Sequence, residues 1–201
     1  MKFQREIKGK LFVISGPAGC GKTTICSSMI EHASGLIDRV VTATTRKPRS
    51  GEVDGVDYYF LTEEAFKNKL SEDAFYENAL VYGNYYGILK SEIQSKIENK
   101  KDLFLSIDVQ GVANLAKLKK TDSFLQECMA SIFIMPSTLD ELKDRLTSRN
   151  KDHSDEINKR LKVADDEMQQ WESFDYCLLS SSKEEDLKSV RYIYKAEKLK
   201  V

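Results

Sequence analysis

The chain alternates between short apolar runs without polar interruption and longer amphipathic segments. Leu11-Phe12-Val13-Ile14 suits a strand buried on both faces, and Thr24 to about Glu31 has helical spacing. Asp38 to Thr45 is β-branched and predicts another strand. Thr62 to Leu70, with a hydroxyl followed by acids, predicts a capped helix, and a further helix follows from about Lys90 to Asn99. Asp102 to Gly111 is apolar and then acidic, as in a parallel strand with a carboxylate at its C-terminal edge. Ser131 to Met135 predicts a strand stopped by Pro136, with Ser137 capping a helix, and a second helix after Asn150 to Ser154 ends near Glu172. Phe174 to Leu179 is a last strand, and a terminal helix runs through Tyr194. Strands alternating with helices predict an α/β fold around a parallel sheet.

Chemistry enters where the first strand meets the first helix. Gly16-Pro17-Ala18-Gly19-Cys20-Gly21-Lys22-Thr23 has the spacing G-x-x-x-x-G-K-[ST] of a phosphate-binding loop. The glycines let several N–H groups converge on one anion, and the helix start adds its positive end. Lys22 is placed for the β- and γ-phosphates of a nucleoside triphosphate, and the Thr23 hydroxyl for Mg²⁺. The alternative is an accidental glycine-rich turn, and the agreement of spacing, lysine, hydroxyl, preceding strand and following helix argues against it. Gly16 to Thr24 is the expected ATP site.

Arg46, Lys47 and Arg49 cluster after the second strand. Arg46 and Arg49 suit bidentate binding of a second phosphate. Taken alone, a solvated charged loop is the better reading of such a cluster. The longer run decides it. Val41-Thr42-Ala43-Thr44-Thr45-Arg46-Lys47-Pro48-Arg49, then Gly51-Glu52, Gly55 and Asp57-Tyr58 with Phe60, closely resembles the GMP-binding signature of guanylate kinases. Ala74 to Gly87, with its Gly83-Asn84-Tyr85-Tyr86-Gly87 run, resembles the family's second nucleotide-binding segment.

The resemblance covers Lys10 to about Lys188 and implies a three-layer P-loop NTPase core with a parallel sheet. Residues 1–41, 90–136 and 173–201 would form that core, about 42–89 a GMP-binding subdomain with β-strands, and about 137–172 a helical lid. It implies that Glu77 accepts from the guanine N1–H and amino group and that Tyr58 and Tyr86 bind the GMP phosphate, with Thr42, Arg46, Arg49 and Asp108 completing the GMP site. Asp108 with Thr23 would hold Mg²⁺. Arg145, Arg149 and Arg160 would be the lid arginines, acting in catalysis with Lys22 and Arg46. On composition alone, two surface helices with salt bridges read equally well there.

The chain departs from the family pattern at three places. Ile88 stands where Ser or Thr usually follows Tyr-Gly, and Ser106 replaces an acid; both departures are expected at the guanine pocket. Ser180-Ser181 replaces Asn-Asp near the adenine.

With 41% hydrophobic residues and 3 prolines the chain is globular. Its 31 basic and 32 acidic residues create no field favouring nucleic acid or an anionic membrane. The charged start and short apolar runs predict a soluble cytoplasmic protein. Cys20, Cys26, Cys128 and Cys177 lack metal or disulfide spacing, and His32 and His153 lack catalytic partners. The expected reaction is MgATP with GMP, and with dGMP, giving ADP and the nucleoside diphosphate. Two rivals stand beside it: a P-loop kinase with another phosphate acceptor, and a non-catalytic phosphopeptide-binding module, which usually has a degraded phosphate loop. The sequence leaves monomer or homo-oligomer open.

Overall fold

The computed structural model describes residues 8–33, 35–147 and 154–200. Five parallel strands form the central sheet: β1 (Leu11–Ser15), β2 (Ile37–Arg39), β7 (Asp102–Ser106), β8 (Met129–Met135) and β9 (Tyr176–Leu179), in the order β2-β7-β1-β8-β9. Side chains alternate between faces along a strand. Leu11, Val13, Leu103 and Leu105 join one core cluster, while Phe12, Ile14, Phe104, Ile132 and Ile134 join another. Both faces are covered, which is why the strand sequences are continuously apolar. The first cluster includes Ile93 and Ile97 of α3 (Lys90–Glu98), Val112 and Leu115 of α4 (Val109–Lys119), and Leu125 of α5 (Ser123–Cys128). The second includes Ile25 and Met29 of α1 (Lys22–His32) and Val190 of α8 (Lys183–Leu199). Helix, sheet and helix make the three layers.

A second sheet of four strands occupies the middle of the chain: β3 (Ala43–Thr44), β4 (Tyr59–Phe60), β5 (Phe75–Val81) and β6 (Asn84–Leu89), ordered β4-β3-β6-β5. Its α2 (Glu63–Ser71) is capped by the Thr62 hydroxyl, which accepts from the Ala65 N–H at 3.1 Å. Such a cap is worth about 1 kcal/mol. One face of this sheet is apolar: Ala43, Phe75 and Leu89 pack with Phe66 of α2 and with Tyr59, Leu61 and Tyr85. A Cβ on Gly87 would lie 2.6 Å from the Phe75 ring, so the close approach of that ring requires glycine.

The expected strand Asp38 to Thr45 is divided. Ile37–Arg39 belongs to the first sheet and Ala43–Thr44 to the second, with buried Val40 and Val41 between them. β-Branched composition predicts extended backbone and says nothing of which sheet it joins. α4 and α5 lie in a stretch for which no element was expected. The helix after Pro136 is α6 (Leu139–Thr147), and its cap is Thr138, which accepts from the Glu141 N–H at 3.1 Å. The expected cap, Ser137, instead donates its hydroxyl to the Glu141 carboxylate. α7 (Ser154–Met168) stops short of Glu172, which lies in a 3₁₀ turn at Trp171–Ser173. Arg149 and His153 lie outside the described residues. Cys20, Cys26 and Cys128 are buried free thiols, Cys177 is an exposed one, and His32 is exposed at the end of α1. Among the described residues no helix is long and apolar enough to cross a membrane.

Candidate active site

The loop from Gly16 to Gly21 leaves the C-terminal end of β1 at the middle of the parallel sheet, the edge where open α/β sheets bind ligands. Ser15 anchors it by donating to the Ile107 carbonyl at 2.9 Å, which ties the ends of β1 and β7 together. Gly16 has φ 138°, and a Cβ there would meet the Ile134 carbonyl oxygen at 2.4 Å. Only glycine fits so close to β8. Cys20 is buried, whereas Ala18 is exposed, which accounts for the apolar thiol at a variable loop position. Gly21 starts α1 without a side-chain cap, so the first-turn N–H groups have no protein carboxylate or hydroxyl competing with an anion. Thr23 and Thr24 are exposed on that turn. Lys22 Nζ donates to the carbonyls of Gly16 at 2.6 Å and Pro17 at 2.9 Å, so the ammonium already lies across the loop.

The second sheet turns its other face to different chemistry. Register places Thr44, Phe60 and Tyr86 together, and Ala79 with Glu77 beside them; Tyr58 and Thr42 continue the same alternation. Tyr58 and Tyr86 meet edge to face with centroids 6.2 Å apart. The Arg46 guanidinium lies 5.4 Å from the Tyr58 ring centre and 5.8 Å from that of Phe60. It donates to Glu52 at 2.9 Å and to the Lys47 carbonyl at 2.7 Å. The second Glu52 oxygen accepts the Arg49 backbone N–H at 2.7 Å. Glu52 thus fixes both cationic residues, though the Arg49 side chain itself is exposed. Bonding to Glu52 raises the Arg46 pKa, with Tyr86 adding to it, and bonding to Arg46 lowers that of Glu52.

Three carboxylates, Glu77, Asp108 and Glu167, are linked electrostatically through Asp108. Glu77 is half-buried, and its pKa is raised first by burial and then by the Asp108 charge. Asp108 is exposed beyond β7 and caps α4, accepting from the Gly111 N–H at 2.7 Å. The pKa of Glu167 on α7 is raised by burial, with Lys22 lowering it and Asp108 raising it, so α7 lies within electrostatic reach of the phosphate loop. Ile88 is the cross-strand partner of Glu77 but is 2% exposed and belongs to the core cluster of Val13, Val40 and Leu105. Ser106, the last residue of β7, is partly buried beside Ile14.

Arg145 of α6 pairs with Glu141, donates to the Ser180 hydroxyl at 3.4 Å and to the Ser181 carbonyl at 3.3 Å, and its charge reaches Cys20. Ser180 in turn donates to buried Asp186 at 2.7 Å, and the Ser181 N–H donates to the same carboxylate at 2.8 Å. Arg160 is partly buried on α7. Sequence reasoning missed Glu52 as a fixing residue, Glu167 and Asp186. Glu52 lay inside the quoted signature; the other two have no local signal.

The donors expected for a divalent cation, the Thr23 hydroxyl and the Asp108 carboxylate, are both exposed hard oxygens. Among the described residues no three His, Cys, Asp or Glu side chains gather. Two protein oxygens fit Mg²⁺, which keeps waters and substrate phosphates as its remaining ligands.

The guanylate kinase family model matches residues 8–197. A guanylate kinase of Clostridium perfringens is 40% identical over 200 residues, covering 100% of this chain and 89% of its own. One from Caldanaerobacter subterraneus subsp. tengcongensis is 40% identical over 194 residues, covering 96% and 90%. The crystal structure of guanylate kinase from Anaplasma phagocytophilum superposes with a TM-score of 0.72 at 29% identity, over 98% of this chain and 89% of that one. With a matching model across nearly its whole length and relatives at this identity, the chain belongs to the guanylate kinase family.

Proposed function

We propose that the protein transfers the γ-phosphoryl group of ATP to GMP. The observation that carries this is the cluster of Arg46, Tyr58 and Tyr86 on the same sheet face as Glu77. A cation and two phenols suit a phosphate monoester, and a carboxylate on the same face suits a base with two adjacent donors, as guanine has. Adenine presents a different edge, and selectivity against it follows from leaving Glu77 unpaired. Ile88 is core packing, so its loss of a hydroxyl removes a possible base contact and adds burial instead. dGMP shares every group contacted in this reading and is a second acceptor.

The division of labour follows the elements. Residues 1–41, 90–136 and 173–201 form the ATP-binding core, about 42–89 the acceptor subdomain and about 137–172 the lid. Gly16 to Thr24 bind ATP, their N–H groups and Lys22 meeting the phosphates; Lys22 exchanges its two carbonyl partners for phosphate oxygens. Thr23 and Asp108 would hold Mg²⁺, which would supply charge neutralisation on the triphosphate. Thr42, Arg46, Arg49, Tyr58, Tyr86, Glu77 and Asp108 bind and orient GMP. An α-phosphate oxygen of GMP attacks the γ-phosphorus, the bond to the β-bridging oxygen breaks, and GDP and ADP leave. The nucleophile is already an anion, so no protein base is required, and alignment and charge supply the rate. Arg145, Arg149 and Arg160 approach the transferring group as the lid closes. Arg145 already bonds the Ser180-Ser181 segment within electrostatic reach of Cys20 in the phosphate loop, which supports that role. The reaction belongs to purine nucleotide metabolism in the cytoplasm.

The test is ADP release from MgATP with GMP, dGMP, AMP, UMP and CMP in parallel. Preference for GMP and dGMP is expected. Preference for another base overturns the Glu77 assignment, and silence with all five overturns the kinase.

A further inference from the structure

The second sheet is rooted in the rest of the chain at two neighbouring points. One is the link of residues 40–42 between β2 and β3; the other is the junction of β6 and α3 at Leu89 and Lys90. Glu92, in the first turn of α3, lies between them with only 6% of its surface exposed. Its oxygens serve different elements. Oε1 accepts the Val41 backbone N–H at 2.9 Å, and Oε2 accepts the Tyr59 hydroxyl of β4 at 2.8 Å. Lys96, one turn on, pairs with Oε1 at 2.6 Å and donates to the Arg39 carbonyl at 3.0 Å, and Arg39 donates to the Asp57 carbonyl at 3.1 Å.

We infer that Glu92 is a positioning residue for the phosphoryl acceptor, fixing the angle between the second sheet and the phosphate loop. The inference rests on the proposed reading of the site as a GMP kinase. Glu92 holds the immediate neighbours of two acceptor residues: Val41 precedes Thr42, and Tyr59 follows Tyr58. Of the other acceptor side chains, Glu77 of β5 and Tyr86 of β6 ride on the same sheet and Arg46 follows just after β3, so a rotation at the 40–42 link displaces them together relative to Lys22. In-line transfer is sensitive to such displacement, since a misplacement of about 1 Å can cost about a hundredfold in rate. A buried carboxylate with three donors also resists piecemeal replacement by water, so the root behaves as one unit.

The fold supplies its own control. Asp102, 3% exposed at the start of β7, has the same three kinds of donor: the Lys10 backbone N–H at 2.8 Å, the Tyr194 hydroxyl at 2.7 Å and Lys198 Nζ at 2.8 Å. All of its partners belong to the first sheet's surroundings and none to the second sheet. The experiment measures kcat, the KM values for GMP and ATP, and the melting temperature for wild type, Glu92→Gln, Tyr59→Phe and Asp102→Asn. Glu92→Gln keeps the shape and removes the charge; it is expected to raise the GMP KM about tenfold and lower kcat several-fold, with the ATP KM within about twofold of wild type. Tyr59→Phe, which deletes one hydroxyl, moves the GMP KM about threefold in the same direction. Asp102→Asn lowers the melting temperature with both KM values unchanged. Wild-type kinetics in both Glu92→Gln and Tyr59→Phe overturn the inference, as do KM values for GMP and ATP that rise together as the melting temperature falls. Wild-type enzyme that does not phosphorylate GMP overturns the functional reading itself.

Discussion

The phosphate loop and the proposed acceptor face would both offer cations to phosphate, yet they are built on opposite plans. The loop is one contiguous segment hung from a sheet buried on both faces, and its binding groups are mainly backbone N–H held in place by Gly16 against Ile134 and by Ser15 on Ile107. The proposed acceptor face gathers side chains from β5, β6 and the segments flanking β3 and β4, on the side of the sheet away from its apolar cluster. Its order depends on side-chain ties, above all Glu52 on Arg46 and on the Arg49 N–H. A backbone site is specified by which residues can adopt its shape; a side-chain site is specified by what holds each side chain.

The sharpest break between the two is Lys22→Ala. It removes a charge from the triphosphate end alone, so kcat is expected to fall about 10³-fold while the GMP KM stays near wild type, read by steady-state kinetics. Glu77→Gln should do the reverse. Losing a charged acceptor costs about 10²-fold in kcat/KM for GMP with the ATP KM unmoved. That variant also has a pH signature. Because burial and Asp108 raise the Glu77 pKa, the folded state holds its proton more tightly than the unfolded chain, and ionisation costs stability at neutral pH. Glu77→Gln is therefore expected to melt higher than wild type near pH 7, with the advantage disappearing as pH falls through the raised pKa to the ordinary carboxylate range. The smallest effect is Glu52→Gln, which leaves the cations present and loosens their placement. A rise of about fivefold in the GMP KM is expected, and an unchanged KM would show that Arg46 needs no carboxylate to hold it.

The contrast also explains what could be read from the chain. The strands β1, β7 and β8 were legible because burial on both faces demands uninterrupted apolar runs. The loop was legible because its spacing is local. The acceptor face was legible only through a long resemblance, since nothing in Thr42 to Tyr86 states the register that brings Tyr58 against Tyr86. The break between β2 and β3 was not legible, because Val40 and Val41 read as strand in either sheet. Glu92 and Lys96 have ordinary i,i+4 helix-surface spacing, and burial is a property of the neighbours. Ile88 reads as a lost hydroxyl in the sequence and as core packing in the fold. Glu167 approaches Lys22 across most of the chain's length, and its sequence surroundings are those of any solvated helix.

The separation of the two halves is tested most directly by calorimetric titration of GMP into the Lys22→Ala variant, beside a turnover assay of the same sample. The account predicts that GMP binds with a wild-type dissociation constant while turnover is nearly abolished, because the acceptor face is complete without the loop lysine. Loss of GMP binding in that variant would contradict it, and would mean that the two sites form as one.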